Sequence, residues 1–268
     1  MRKRLEILAL TLLCSLIAPA SWAQEQQRAP ERATYDPSTW PAASAARVGA
    51  DPASVQPAGW TRTDLQIDPR RGEASFGLAQ AKASCAAIRV RLRLHASVDA
   101  ARQALIGTLR TVQAPLSSEE GLGDVAFGGR VLGRLEYAAG ALGNVTFVVR
   151  ALAKVDVTDV AVAVSDALRA APALEGDPRP FTPRVLGLTP TRPAVAGEPT
   201  PLRLDLDPTG PEPLLTAVVC LEGASVVQTE LGFTLYAAQP GLVTIEVFVC
   251  TQGLRVGTKA FALEVTPR

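Results

Sequence analysis

The sequence is poor in the side chains from which most catalytic and metal sites are built. It contains one histidine, His95, and four cysteines among 268 residues. A second imidazole is therefore missing for a His-Glu-x-x-His zinc site, and the cysteines do not form a closely spaced pair. No Gly-x-Ser-x-Gly motif is present, so a serine nucleophile with a histidine base is disfavoured. These absences predict no catalytic residue of those kinds, no metal site and no cofactor.

Beyond the first twenty residues, the sequence also lacks any apolar run long enough to span a bilayer. The N-terminus itself combines Met1-Arg2-Lys3-Arg4, an apolar run over residues 7–18, and the small residues Ser21 and Ala23. This is the pattern of a cleaved secretory signal peptide over residues 1–23. The sequence thus predicts a periplasmic or secreted protein with no membrane span after cleavage.

A strong excess of basic residues is absent as well. The formal net charge is +1 for the full sequence, and removal of residues 1–23 changes it to about −1. Proteins whose main partner is nucleic acid usually carry a clear basic excess. We therefore expect no nucleic-acid partner, and the sequence leaves the oligomeric state open.

Differences in composition divide the rest of the chain into four segments. Residues 24–56 are rich in Ala, Pro, Ser, Arg and Glu without an apolar period, which predicts a disordered arm. Residues 57–171 show strand and helix periods that predict an α/β sandwich domain. Residues 172–183 are rich in proline, which is typical of a stiff linker. Residues 184–268 show only short strand patterns separated by Gly and Pro, which predicts a β-sandwich domain.

The first of these domains is predicted to contain one sheet and two helices. In residues 88–96 every second residue is apolar and arginines lie between them, which is typical of a strand with one buried face. Ser97 is placed to cap a helix over residues 98–112, and a second helical period runs over residues 157–171. Since each helix has one apolar stripe to bury, we expect an antiparallel or mixed sheet with both helices on one face.

The stretch over residues 121–171 contains a Gly-Leu-Gly-Asp turn, strand patterns at 130–137 and 145–151, and Gly143-Asn144 in the loop between them. The two strand patterns predict an antiparallel hairpin. Together with the closing helix, these residues resemble uncharacterised domains of exported bacterial proteins. The resemblance implies a fold and a compartment rather than an activity.

In the C-terminal part, the run from Phe233 to Val247 resembles the late strands of bacterial immunoglobulin-like domains. The similarity extends over residues 184–266 and implies a structural or adhesive role. The predicted fold class is thus α+β. It consists of an N-terminal sheet with two helices on one face, followed by an all-β immunoglobulin-like sandwich.

Three cysteines remain after cleavage of the signal peptide. Cys220 and Cys250 fall in the predicted sandwich, and in an exported protein we expect them to form a disulfide across adjacent strands. Two separate buried thiols are the alternative. Cys85 is then left without a partner and is interpreted as a small buried apolar residue.

The sequence also predicts an arginine-rich surface in the first domain. Its residues are Arg89, Arg91, Arg93, Arg130, Arg134 and Arg150. If their strands share a sheet, six guanidinium groups project from one side and bind an acidic protein or an anionic polymer through bidentate contacts. The plain alternative is a solvated face with ion pairs to acids such as Glu136.

The sequence therefore favours an exported, non-enzymatic binding or scaffold protein of the bacterial envelope. Its partner would meet the arginine-rich face or an exposed edge strand. The alternative is a hydrolase of cell-wall or polysaccharide material that uses the loop carboxylates Glu119, Glu120 and Asp124. Acidic residues beside glycines in a loop are, however, commonly turn formers.

Overall fold

The computed structural model describes residues 35–80, 85–175, 182–210, 215–229 and 232–268. The predicted signal peptide (1–23) and the first part of the predicted arm (24–34) lie outside the described residues. So do residues 176–181 of the predicted linker.

The described chain contains fifteen strands and two α-helices. The strands are β1 (Trp60–Asp68), β2 (Glu73–Gln80), β3 (Ile88–Leu94), β4 (Ser117–Ser118), β5 (Val125–Val131), β6 (Arg134–Leu142), β7 (Val145–Ala151), β8 (Val185–Pro190), β9 (Ala194–Val195), β10 (Thr200–Leu206), β11 (Leu215–Glu222), β12 (Ala224–Thr229), β13 (Gly232–Ala237), β14 (Gly241–Cys250) and β15 (Val256–Thr266). The helices are α1 (Val98–Leu109) and α2 (Thr158–Ala170).

Seven strands form the first sheet, in the order β1-β2-β3-β7-β6-β5-β4. In β3, beside the central strand β7, Ile88, Val90 and Leu92 are fully buried and the arginines between them are not. The alternation predicted for this segment is therefore confirmed. Because the side chains of a strand point to opposite faces in turn, the arginines must lie on the face opposite the buried aliphatics.

The two helices lie on opposite faces of this sheet. Val164 and Leu168 of α2 belong to the same apolar core as Val90, so α2 covers the aliphatic face. Thr108 of α1 lines two cavities together with Arg91, so α1 covers the arginine face. The prediction of both helices on one face is wrong, because an apolar stripe identifies what a helix buries but not the side of the sheet that receives it.

Helix α1 begins where the sequence predicts. The Oγ of Ser97 accepts a hydrogen bond from the backbone N–H of Ala100 at 3.1 Å, which satisfies one of the free amides of the first turn. Its buried side chains are Ala101, Leu105, Ile106 and Leu109. These residues repeat at the spacing of a single helical face, so α1 is held by packing on the sheet.

The remaining eight strands form two four-stranded sheets. Their orders are β12-β13-β10-β8 and β11-β14-β15-β9. A second apolar core, which includes Leu235, Ile245 and Val247, lies among these strands. The resemblance of residues 184–266 to immunoglobulin-like domains stays a prediction.

The turn between β14 and β15 packs into the core of the first sheet. Cys250 and Leu254 belong to that core, with 0% and 1% of their surface exposed. The N–H of Ala50 donates to the carbonyl of Gly253 at 2.9 Å. The two predicted domains therefore share apolar contacts, and residues 37–268 form one compact unit.

Residues 37–56 correct the prediction of a disordered arm. Ala50 and Val55 are buried in the first core. The N–H of Arg47 donates to Oδ1 of Asn144 at 2.6 Å, and Arg47 also forms an isolated antiparallel bridge with Ala173. A segment without an apolar period can still be ordered when a few of its residues fill gaps in a core built by other segments.

The fold class also needs correction. Strand residues make up 49% and helical residues 14% of the described chain, so the protein is mostly β rather than α+β. The predicted arrangement of a sheet with two helices followed by an immunoglobulin-like sandwich is therefore not the arrangement observed. In the part of the chain that is described, no helix has the length and apolar character needed to cross a membrane.

The predicted disulfide between Cys220 and Cys250 is not formed. Both thiols are free, as is that of Cys85. The two cysteines do lie on adjacent strands, but Cys220 is opposite Ile245, five positions along β14 from Cys250. At about 3.3 Å per residue this offset is about 16 Å, well beyond the span of a disulfide. Burial raises the pKa of the Cys250 thiol to about 11, so it stays protonated at neutral pH.

Candidate functional site

The most prominent cavity of the described chain lies on the arginine face of the first sheet. We call it the arginine groove; its volume is about 730 Å³. Its floor is formed by the outward side chains of β3, β6 and β7, and one wall is the C-terminal end of α1 with the segment Thr111–Leu116. The cavity is of the size that accommodates a small molecule or a few residues of a polymer.

Four of the six predicted arginines line this groove. They are Arg89, Arg91, Arg130 and Arg150. The acidic residue among the groove's lining side chains is Glu136. The lining therefore carries an excess of positive charge although the chain as a whole is nearly neutral.

Arg89 and Arg150 form the centre of this charge. They are directly opposite each other in the antiparallel pair of β3 and β7. Like charges at directly opposed positions destabilise a sheet, and neither side chain has an ion pair or hydrogen bond within the described residues. The fold thus holds two adjacent guanidinium groups whose donors have no partner in the part of the chain that the structure describes.

The other groove arginines are partly neutralised. Arg130 donates to both carboxylate oxygens of Glu119, from Nε at 3.0 Å and from Nη2 at 2.7 Å. This hydrogen-bonded pair raises the pKa of Arg130. Arg91 lies 4.0 Å from Glu73, which is the limit of an ion pair, and 46% of its side chain is exposed. Arg91 therefore contributes to the positive field of the groove more than Arg130 does.

Arg93 and Arg134 lie outside the groove. Arg93 lines a neighbouring cavity of about 340 Å³ together with Arg71, Glu73 and Arg91. Its Nε is buried without a hydrogen-bond partner in the described structure. Arg134 stands near the tip of the β5–β6 hairpin and is bonded to Glu136 at 2.9 Å. Of the six predicted arginines, four thus line the groove and Arg93 lines the neighbouring cavity. Arg134 lies outside both and pairs with Glu136 of the groove lining.

Two parts of the groove could not be identified from the sequence. Tyr137 lines it and lies opposite Arg150 in the pair of β6 and β7. The apolar wall is formed by Val112, Pro115 and Leu116, which follow α1. Alternation along β6 places Tyr137 on the same face as buried Leu135, and only the register shift beside Gly129 and Arg130 brings it to the arginine face. No local pattern shows that the segment after α1 folds over the arginines.

His95, the one histidine of the chain, follows β3 and is not part of the groove. Its Nε2 lies 2.9 Å from Oγ1 of Thr146, and its backbone N–H donates to the carbonyl of Asn144 at 2.8 Å. Burial, together with the charge of Arg93, lowers the pKa of His95 to about 4. The imidazole is therefore neutral at physiological pH and serves as a hydrogen-bonded structural side chain.

This environment predicts a pH dependence of stability. In the unfolded chain His95 binds a proton near pH 6.5, whereas in the folded chain it does so only near pH 4, so stability is lost as the pH falls between these values. The full shift corresponds to about 3 kcal/mol, which partial exposure reduces to an expected loss of about 1–2 kcal/mol. Urea unfolding at pH 7 and pH 4.5 measures it. The His95→Gln variant has no titrating group at this position, so between pH 7 and pH 4.5 it should lose about 1–2 kcal/mol less stability than the wild type. Equal losses in the two proteins would show that His95 does not cause the pH dependence.

The loop carboxylates do not converge on a common point. Both oxygens of Glu119 are bonded to Arg130, and Glu120 is exposed. Asp124 accepts hydrogen bonds from the N–H and Oγ of Ser44, at 2.9 and 2.5 Å, and from the N–H of Gly143 at 2.7 Å. Two of the three candidates are therefore held in structural contacts.

Among the described residues, no three His, Cys, Asp or Glu side chains come together as the ligands of a metal ion would. The site with the most distinctive chemistry is thus the arginine groove. Comparison with known proteins adds no relative, because no protein-family model matches the chain and no curated protein sequence matches it.

Proposed function

We propose that this protein is a non-enzymatic binding protein whose arginine groove holds acidic groups of a protein or of an anionic polymer. The observation that carries the proposal is the pair Arg89 and Arg150, adjacent across two central strands and without an acidic partner in the described residues. The signal peptide predicted at residues 1–23 supports a periplasmic or secreted location for this binding.

The physical reason is the cost of leaving these two charges together. Opposed guanidinium groups repel each other, and a carboxylate, sulfate or phosphate placed between them removes that repulsion while accepting several hydrogen bonds. Arginine suits such contacts because its planar group presents paired donors and stays charged at every physiological pH.

The apolar wall of the groove strengthens this preference. Val112, Pro115, Leu116 and Val148 line the cavity beside the guanidinium groups. Apolar walls lower the local dielectric, so a charge-assisted hydrogen bond is stronger here than on an open surface. A ligand with acidic groups on an extended, partly apolar backbone therefore fits the groove better than a small hydrated ion.

Binding is favoured over the hydrolase alternative because the groove has an assembled set of donors. The loop carboxylates Glu119 and Asp124 instead accept hydrogen bonds from within the protein. A pair of carboxylates facing each other across a space for substrate is what glycoside hydrolysis needs. The described residues around these loops do not provide such a pair.

The proposal is tested with two probes, poly-L-glutamate for an acidic protein and polygalacturonate for an acidic polysaccharide. The Arg89→Glu/Arg150→Glu double variant is expected to bind at least one probe about tenfold more weakly than the wild type, because two unpaired cations are replaced by anions. Calorimetric titration at low and at physiological salt provides the dissociation constants.

The matched control is Arg70→Glu/Arg268→Glu, which changes the same net charge at two exposed positions outside the groove. Its binding should stay close to that of the wild type, and both variants should melt like the wild type. Equal weakening by the two double variants would show that only net charge matters. Unchanged binding in the groove variant would show that the groove is not used.

A further inference from the structure

Strand β12 forms one edge of a four-stranded sheet, with β13 as its neighbour. It is paired with β13 at all six of its positions without a register shift. On its other side, the backbone groups of residues 225–228 make no hydrogen bond within the described residues. Within residues 225–228, the main-chain donors and acceptors that do not face β13 are therefore directed outward and available.

The other edges of the described sheets carry features that oppose the addition of a strand. Strand β1 has an irregular register between Thr63 and Gln66 and bears charged side chains. In β8, the carbonyl of Leu186 accepts from Nζ of Lys259 at 2.8 Å, and the strand ends at Pro190. Strands β4 and β9 have two residues each.

Strand β11 is protected in part, because its register shifts between Cys220 and Glu222 and Glu222 is charged. Strand β12 has none of these features. Its sequence, Ala-Ser-Val-Val-Gln-Thr, contains no charge and no proline. Val227, at its middle, is 46% exposed. A neutral, regular edge with an exposed β-branched residue is the type of edge on which strands pair.

We propose that β12 pairs with β12 of a second copy of this chain, in an antiparallel two-fold arrangement that joins two four-stranded sheets into one of eight strands. A second copy fits because the edge is neutral, so two identical strands meet without opposed charges. A two-fold axis at Val227 places this side chain beside its own copy, on the same face of the joined sheet. The proposal does not depend on the arginine groove, which lies on the first sheet.

Two exposed apolar side chains lie near the start of β12. Leu221 is 53% exposed, and Leu242 is 69% exposed. A Cβ at Gly223, between β11 and β12, would lie 3.8 Å from the carbonyl of Leu242, so Leu242 lies near the start of β12. Leu221 precedes that start by three residues. Burial of such side chains adds an apolar contribution to the backbone hydrogen bonds of the pair.

Sedimentation velocity across micromolar to submillimolar concentrations tests the proposal. The wild-type chain is expected to dimerise, and Val227→Lys is expected to weaken the dimer about tenfold or more, because two ammonium groups would meet at the axis. The matched control is Val162→Lys, which alters an exposed valine of α2 and should leave the dimer unchanged. If the wild-type chain sediments as a monomer at all concentrations, the proposal is wrong, and the edge of β12 would then be open to pairing with a strand of another protein. A dimer that survives Val227→Lys would overturn the proposal too.

A cross-linking experiment locates the axis independently. In a chain with Cys85→Ser and Cys220→Ser, Val227→Cys should form a covalent dimer on mild oxidation, because the two thiols meet at the two-fold axis. Val162→Cys in the same background should form no covalent dimer, although its non-covalent dimer should persist. Equal cross-linking of the two variants, or none at position 227, would contradict pairing through β12.

Discussion

Replacing Asp124 with alanine is expected to lower the free energy of unfolding by about 2–4 kcal/mol. The carboxylate accepts three hydrogen bonds, from the N–H and Oγ of Ser44 and from the N–H of Gly143. These contacts join residues 37–56 to the β6–β7 turn. Without the carboxylate, the N–H of buried Gly143 loses its acceptor, and the cost of an unsatisfied buried donor is added to the loss of the charged hydrogen bonds. Urea unfolding followed by circular dichroism measures the change.

Two variants control this experiment. Asp124→Asn keeps one acceptor oxygen and should lose less stability than Asp124→Ala. Asp159→Ala, in the first turn of α2, removes an acidic residue that makes no such contacts with the described residues and should change stability by no more than about 1 kcal/mol. If Asp124→Ala were as stable as the wild type, the hydrogen bonds of Asp124 would not stabilise the fold. The interpretation of Asp124 as a catalytic carboxylate of a hydrolase would then regain support.

The sequence was informative wherever a local period decides the structure. The alternation around position 90 located β3 with its buried and exposed faces, and Ser97 located the start of α1. Alternation also placed Arg150 opposite the apolar residues of its own strand, whereas the pairing of that strand with β3 is a finding of the structure. These predictions depend on the spacing of neighbouring residues, which the sequence contains directly.

Predictions that needed contacts between distant segments were wrong or incomplete. Residues 130–137 were predicted as one strand, but a turn at Leu132-Gly133 divides them between β5 and β6, and both turn residues have positive φ, 50° and 82°. Residues 139–144, between the two strand patterns, are predicted as the loop of the hairpin, but residues 139–142 belong to β6. Glycine is needed in this part of the strand, because a Cβ at Gly140 would lie 2.5 Å from the ring of Phe147.

The register of paired strands and the side of the sheet on which a helix packs could not be predicted either, because both depend on contacts between distant segments. The sequence placed Cys220 and Cys250 on neighbouring strands, yet the offset between them depends on which backbone groups pair. Likewise, the apolar stripe of α1 did not show that this helix lies on the arginine face. The groove is a product of that placement, so its arginines were predictable and its wall was not.

Glycine at position 257 shows how such a distant contact restricts a single residue. Gly257 lies in β15 opposite Val249, and its φ is not in the left-handed region. Backbone freedom therefore does not explain the glycine. A Cβ at this position would overlap the carbonyl oxygen of Pro183 and lie 2.9 Å from its carbonyl carbon. The chain entering β8 thus crosses β15 so closely that only a hydrogen atom fits between them.

Gly257→Ala is accordingly expected to lower the free energy of unfolding by about 3 kcal/mol or more, because the obstructing atoms belong to the backbone and cannot rotate away. The matched control is Gly107→Ala in α1, where a Cβ would meet nothing within 4 Å. There the same substitution should raise stability by about 0.5–1 kcal/mol, since alanine favours the helix. Urea unfolding of both variants measures the two opposite changes. A Gly257→Ala protein as stable as the wild type would mean that the crossing of β8 over β15 is looser than described, because a methyl group could then enter without displacing either strand.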